Sequence, residues 1–111
     1  MTTDPVKMKG TPFHLANFVD YSDDSVVSKT LLKKNTGNLT LFAFDAGQGL
    51  SEHTAPFDAV VYILDGHARI TIGGTPLNVG EGEMLIMPAN ISHALHAEER
   101  FKMLLVMIRG E

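Results

Sequence analysis

From Val26 onward, apolar side chains come in short runs separated by turn residues at nearly regular intervals. Val26 to Leu32, Leu39 to Phe44, Val60 to Leu64, Ala68 to Ile72, Leu85 to Met87 and Phe101 to Ile108 carry the Val, Ile, Leu, Thr and Phe, and between them stand Asn35-Thr36-Gly37-Asn38, Gly47-Gln48-Gly49, Asp65-Gly66, Gly73-Gly74, Gly80-Glu81-Gly82, Pro88-Ala89-Asn90 and Glu98-Glu99. Short strands with turns every ~8–12 residues predict an all-β sandwich or barrel. Within the runs the period is two: His67, Arg69 and Thr71 alternate with Ala68, Ile70 and Ile72, which places a polar row on one face and an apolar row on the other. Val26 to Leu32 fits either a short helix or a strand, and its β-branched residues favour strand. Asn and Gly tolerate positive φ, so Asn35 to Asn38 is expected to turn the chain back antiparallel. Asp65-Gly66 and Gly73-Gly74 read as tight hairpins, which predicts a meander of Val60–Asp65, His67–Ile72 and Thr75–Val79. Phe101 to Ile108 is apolar on both faces, as expected of a strand covered on both sides, by the interior and by either a partner subunit or the N-terminal segment.

Length and charge narrow the picture. The 111 residues make one domain, read as residues 11–111 preceded by a loose polar arm over residues 1–10. There are no cysteines, so disulfides, thiolate metal sites and cysteine nucleophiles are excluded. Net charge is −4 with no basic cluster beyond Lys33-Lys34, so there is no handle for gripping phosphates and no nucleic-acid partner is expected. The apolar runs are too short to span a bilayer and the N-terminal residues lack an apolar core, so no membrane association is expected and the location expected is cytoplasmic.

Two stretches carry the candidate chemistry. Gly47, His53 and Gly66 keep one spacing; Gly82, Pro88 and His93 keep another. Together they resemble the two signature motifs of the cupin superfamily. In the first, Ala55 and Ala59 stand where a second histidine and a glutamate would be; in the second, Asn90 and Ala97 replace a glycine and an asparagine. The resemblance implies an RmlC-like jelly-roll barrel, also called a double-stranded β-helix, commonly a homodimer in single-domain members. It also implies that His53 and His93 converge inside the barrel.

Two imidazoles facing one pocket are the beginning of a site for a divalent transition metal such as Zn, Fe, Mn, Ni or Cu, but such ions take at least one further protein ligand. Gln48 and Asp58 rank equally as the third ligand or as ligand-binding residues. Glu52 ranks below them because alternation points it away from His53, unless a bulge intervenes. The metal-free reading stands beside this one: the two rings hydrogen-bond each other, a water or an organic ligand. His14, His67 and His96 have no partner in sequence and receive no assignment. Met84, Met87, Met103 and Met107 read as core fillers, with a thioether copper site the less favoured alternative. Gly47-Gln48-Gly49 precedes no helix and so is no phosphate loop, and Ser51 has neither orienting acid nor nucleophile elbow. Three functions follow: a barrel that binds a small molecule, a metal-dependent oxygenase or isomerase, and a metal-free structural or regulatory dimer.

Overall fold

The computed structural model describes residues 9–109; the expected arm therefore lies, up to residue 8, outside the described residues. A short 3₁₀ turn, Leu15–Asn17, is followed by strands β1 (Val26–Lys34), β2 (Gly37–Phe44), β3 (Gly49–His53), β4 (Ala59–Asp65), β5 (His67–Ile72), β6 (Thr75–Gly80), β7 (Met84–Met87), β8 (His93–His96) and β9 (Phe101–Ile108). They form two sheets in the orders β1-β2-β9-β4-β7 and β3-β8-β5-β6. All their pairings are antiparallel. The expected all-β jelly roll is the observed fold. The ambiguous Val26 segment is a strand, paired along β2 from Val26↔Phe44 to Lys34↔Gly37.

Alternation sets what each strand buries. Val61 and Ile63 of β4, Ala68 and Ile70 of β5, and Phe101 and Met103 of β9 all enter the interior between the sheets. It includes the buried Phe44–Phe101 stack, with ring centroids 4.5 Å apart and planes inclined by 13°. Offset aromatic pairs of this kind add about 0.5–1.5 kcal/mol beyond the area they bury.

One expectation fails. Asp65-Gly66 is not a hairpin: β4 pairs with β7 and β9 in one sheet, whereas β5 pairs with β6 and β8 in the other. The chain changes sheets there, and of these two turns Gly73-Gly74 alone joins paired neighbours. A dipeptide with positive φ serves a sheet-to-sheet corner as readily as a hairpin, and the choice belongs to the strands' partners. Gly66 has φ +72°, and a Cβ there would run into the Arg100 carbonyl oxygen.

The outer face of the large sheet is covered over part of its width. Leu15, Phe18, Val19 and Tyr21 pack over Leu41, Ala43 and Leu104. Tyr21 fastens this cover: its hydroxyl donates to Asp65 Oδ2 at 2.6 Å, and Arg100 and Lys102 lie over its ring. Burial and the Asp65 carboxylate push the phenol pKa up. Lys102 Nζ also donates to the Ala16 carbonyl at 2.6 Å. The strand expected to be covered on both faces is thus covered in part, since Ile108 remains 61% exposed.

Replacing Gly66 by Ala adds a left-handed penalty of about 1–2 kcal/mol to a backbone clash at the corner. Chemical denaturation should show a loss of at least that size with an unchanged m-value, and a neutral substitution would contradict the corner assignment.

Candidate functional site

The two motif histidines meet because β3 and β8 are sheet neighbours. In β8, alternation sends His93 and Leu95 inward and leaves His96 exposed. His93 pairs with Ile72 on one side and with His53 on the other. The β3–β8 register shifts between Leu50 and His53, so two residues of opposite parity both line the cavity, His53 remaining exposed on its other side. His53 and Ala55 line the cavity and Ser51 does not. Ser51 instead offers its carbonyl oxygen to His53 Nδ1 at 2.9 Å.

That contact fixes the protons. A carbonyl only accepts, so Nδ1 of His53 carries the hydrogen and a neutral ring leaves Nε2 bare. His53 Nε2 lies 3.1 Å from His93 Nε2. The bond is made when His93 Nε2 donates, with the rings edge to face at 71°. His93 Nδ1 is then a bare acceptor, and it is buried with no partner. An unmet buried acceptor costs about 1–3 kcal/mol. The Ile91 carbonyl favours a proton on this ring, yet the Nδ1 geometry falls short of a hydrogen bond; with His93 5% exposed, burial dominates. Burial first, and the neighbouring His53 second, lower the His93 pKa from the ordinary 6.5.

Around the pair is a cavity of about 60 Å³ lined chiefly by Leu50, Leu95, Leu105, Phe57 and the methionines Met87, Met103 and Met107. Ala55 and Ala59, at the positions where the motif would supply donors, line it as well. Gln48 and Asp58 do not. The Asp58 carboxylate accepts the Ala89 amide at 2.8 Å, and Asn90, at φ +64° where the motif has a glycine, donates its amide to the Ala55 carbonyl at 2.7 Å. Asn is among the few residues that adopt this conformation readily. Asp58 and Asn90 thus clasp the two motif loops together. Gln48 does the same through its backbone, accepting from Ala97 N at 2.8 Å. Glu52 is exposed and also outside the lining.

The lining side chains hold two of the donors that the motifs would supply to a divalent transition metal, and Ala55 and Ala59 supply none. Among the described residues no group of three or more His, Cys, Asp or Glu is placed to hold a metal ion. Two imidazoles fall short of the three protein ligands of a catalytic zinc and lack the carboxylate of a non-haem iron triad. Met87 and Met103 are core as expected, with Met107 packed against them, and all three also border the cavity, whereas Met84 is exposed. The signal that could have found them is register: Met87 on β7 and Met107 on β9 both pair with Ala59.

The two-sheet barrel, with one histidine from each motif meeting inside it, defines a small jelly-roll pocket protein. The family model described as Cupin domain matches residues 40–108, and the chain belongs to that family. The fold is similar to a conserved protein of unknown function from Streptococcus pyogenes, with 40% identity and TM-score 0.87 over 91% of this chain and 89% of that one. A Cupin 2 conserved barrel domain protein from Leptotrichia buccalis is 43% identical with TM-score 0.85, over 87% of this chain but 47% of that one. A cupin superfamily protein from Desulfitobacterium hafniense is 29% identical with TM-score 0.85, over 89% and 91%. An uncharacterized protein from Streptomyces coelicolor is 31% identical over 65 residues, 59% of this chain and 62% of its own length. The chain thus spans less than two thirds of that relative. Among the described residues no helix is long and apolar enough to cross a membrane.

A lowered His93 pKa has a definite sign in stability. Above the ordinary value of 6.5 the ring is neutral in folded and unfolded chains alike; below it the unfolded chain takes up the proton first. Stability should fall as pH drops below 6.5, by up to about 1.4 kcal/mol per unit. Urea titrations from pH 8 to 5 check this, and His93→Leu should flatten the difference.

Proposed function

We propose that the protein is a binding cupin whose barrel holds a very small ligand at the His53–His93 pair. The observation that carries this is the 3.1 Å Nε2–Nε2 contact at the polar end of an otherwise apolar cavity. A hydroxyl or carboxylic acid head that comes between the two Nε2 atoms accepts from His93 and donates to His53 in place of the bond they make with each other, and the apolar wall suits a short alkyl tail. Size sets the scale: 60 Å³ is room for about four or five waters, against several hundred Å³ for pockets that take drug-sized molecules. A ligand of about five non-hydrogen atoms, at up to about 1.5 kcal/mol each, binds no more tightly than about micromolar. The oxygenase or isomerase reading has less support, because Ala55 and Ala59 supply no donor atoms.

A homodimer is proposed on a separate observation. Ile86, Val60, Val106 and Leu39 are register partners in one row across β7, β4, β9 and β2, on the outer face of the large sheet. Ile86 is 59% and its neighbour Met84 62% exposed. The row contains no charge, so it asks for no partner of complementary sign, and a second copy matches it by two-fold symmetry. Location in the cytoplasm is proposed from the absence of cysteine alone.

Two measurements test these readings. Ring ¹⁵N resonances of both histidines should shift on titration with n-alkanols and n-carboxylates of graded length, with the effect lost in His53→Ala; failure of every member to move either ring would refute the binding reading. Light scattering should give twice the chain mass, and Ile86→Lys should halve it; a wild-type monomer at high protein concentration rules out the homodimer.

A further inference from the structure

The cavity beside His53 and His93 is bordered by nucleophilic atoms that the binding reading leaves unused, the thioether sulfurs of Met87, Met103 and Met107. Ala59 is the register partner of both Met87 and Met107, and antiparallel partners point to the same face with Cβ atoms about 5 Å apart. The small Ala59 side chain leaves space that two flexible thioethers border. Met87 and Met103 are buried, whereas Met84, on the same strand as Met87, is 62% exposed. A buried thioether is ordinarily inert for want of access. Here the sulfurs share one small space with a hydrogen-bond donor, the Nε2–H of His93, and an acceptor, the bare Nε2 of His53.

Hydrogen peroxide is small enough to enter and uses all three kinds of group. We propose that the cavity is a hydroperoxide site, at which the histidine pair holds hydrogen peroxide and moves its protons while one oxygen passes to a lining methionine, giving methionine sulfoxide and water. The inference rests on the reading of the histidine pair as the binding end of the barrel. Two oxygen atoms fit readily in about 60 Å³. The peroxide comes between the rings, donating from one oxygen to His53 Nε2 and accepting at the other from His93 Nε2. His53, exposed at the end of β3, has freedom to part from His93 and admit it. A sulfur lone pair attacks the oxygen that faces His53 and forms the S–O bond. The O–O bond breaks, its electron pair leaves with the second oxygen, and that oxygen takes the Nε2 proton of His93 to become water. His53 Nε2 takes the proton of the transferred oxygen and hands one back to His93 Nε2 when the rings regain contact. The thioether is oxidised by two electrons, the peroxide is reduced by two, and both rings end as they began. In open water the solvent must carry these protons; between apolar walls the histidines do so. The product is reversible, since methionine sulfoxide is returned to the thioether by enzymatic reduction.

The test is brief exposure of the whole chain to hydrogen peroxide with a metal chelator present, followed by peptide mass mapping. Access alone makes exposed Met84 the first to gain an oxygen. A peroxide site reverses that order: at least one of Met87, Met103 and Met107 should be oxidised at least about tenfold faster than Met84. His53→Leu, which keeps the site filled, should erase the lead and leave the Met84 rate unchanged. An n-alkanol at the histidine pair should slow the lining methionines and not Met84. The wild type carries both kinds of methionine, so the comparison stands even where the variant misfolds. Oxidation of Met84 as fast as the lining methionines overturns the proposal, as does a lead that survives in folded His53→Leu or one that the chelator abolishes. Alkanols that shift the histidine ring resonances while Met84 is oxidised first would sink the peroxide site and leave the binding reading standing.

Discussion

The pairing of β3 with β8 is the contact on which the pocket depends. Forty residues separate His53 from His93 along the chain, and their strands are hydrogen-bonded neighbours. Sheet geometry then sets the rest: opposed residues on one face come within reach of each other, and the register shift after Leu50 turns His53 inward. The surrounding clasps serve this pairing. Asp58 holds the Ala89 amide, Asn90 reaches the Ala55 carbonyl, Gln48 accepts from the Ala97 amide and Gly47 donates to the Ala97 carbonyl, so both motif loops are tied to one another.

Placing two imidazoles against each other has an energetic consequence. One ring accepts, the other donates, and the donor's second nitrogen is left buried and unmet. A pocket in that condition favours anything that supplies a proton donor or a cation to the free lone pairs. The apolar lining limits what else the occupant finds there, and the small volume limits its size. The two alanines stand where an imidazole and a carboxylate would be, while the methionines around Ala59 leave polarizable side chains.

The same large sheet meets two different fates on its outer face. Toward β2 the N-terminal residues fold over it, locked by the Tyr21–Asp65 hydrogen bond and the lysine and arginine over the Tyr21 ring. Toward β7 no described residue covers Met84 and Ile86, and the apolar row through Val60 continues from them. A surface of that kind is a region where burial is still available to be gained.

Much of the fold was legible in the chain because strand period and turn residues are local properties. Alternation placed Ala68 and Ile70 on the apolar face, where both are buried, and the Asn35–Asn38 and Gly73-Gly74 turns were read with their partners. Motif spacing alone located His53 and His93. Tertiary structure decided what locality leaves open. Asp65-Gly66 became a corner because β4 found β9 and β7, not β5; Asp58 became a brace because Ala89 presented an amide; and three methionines became pocket wall because Ala59 lay between two of their strands. Each of these depends on which strands lie side by side, and period-two patterning states a strand's faces without naming its neighbours.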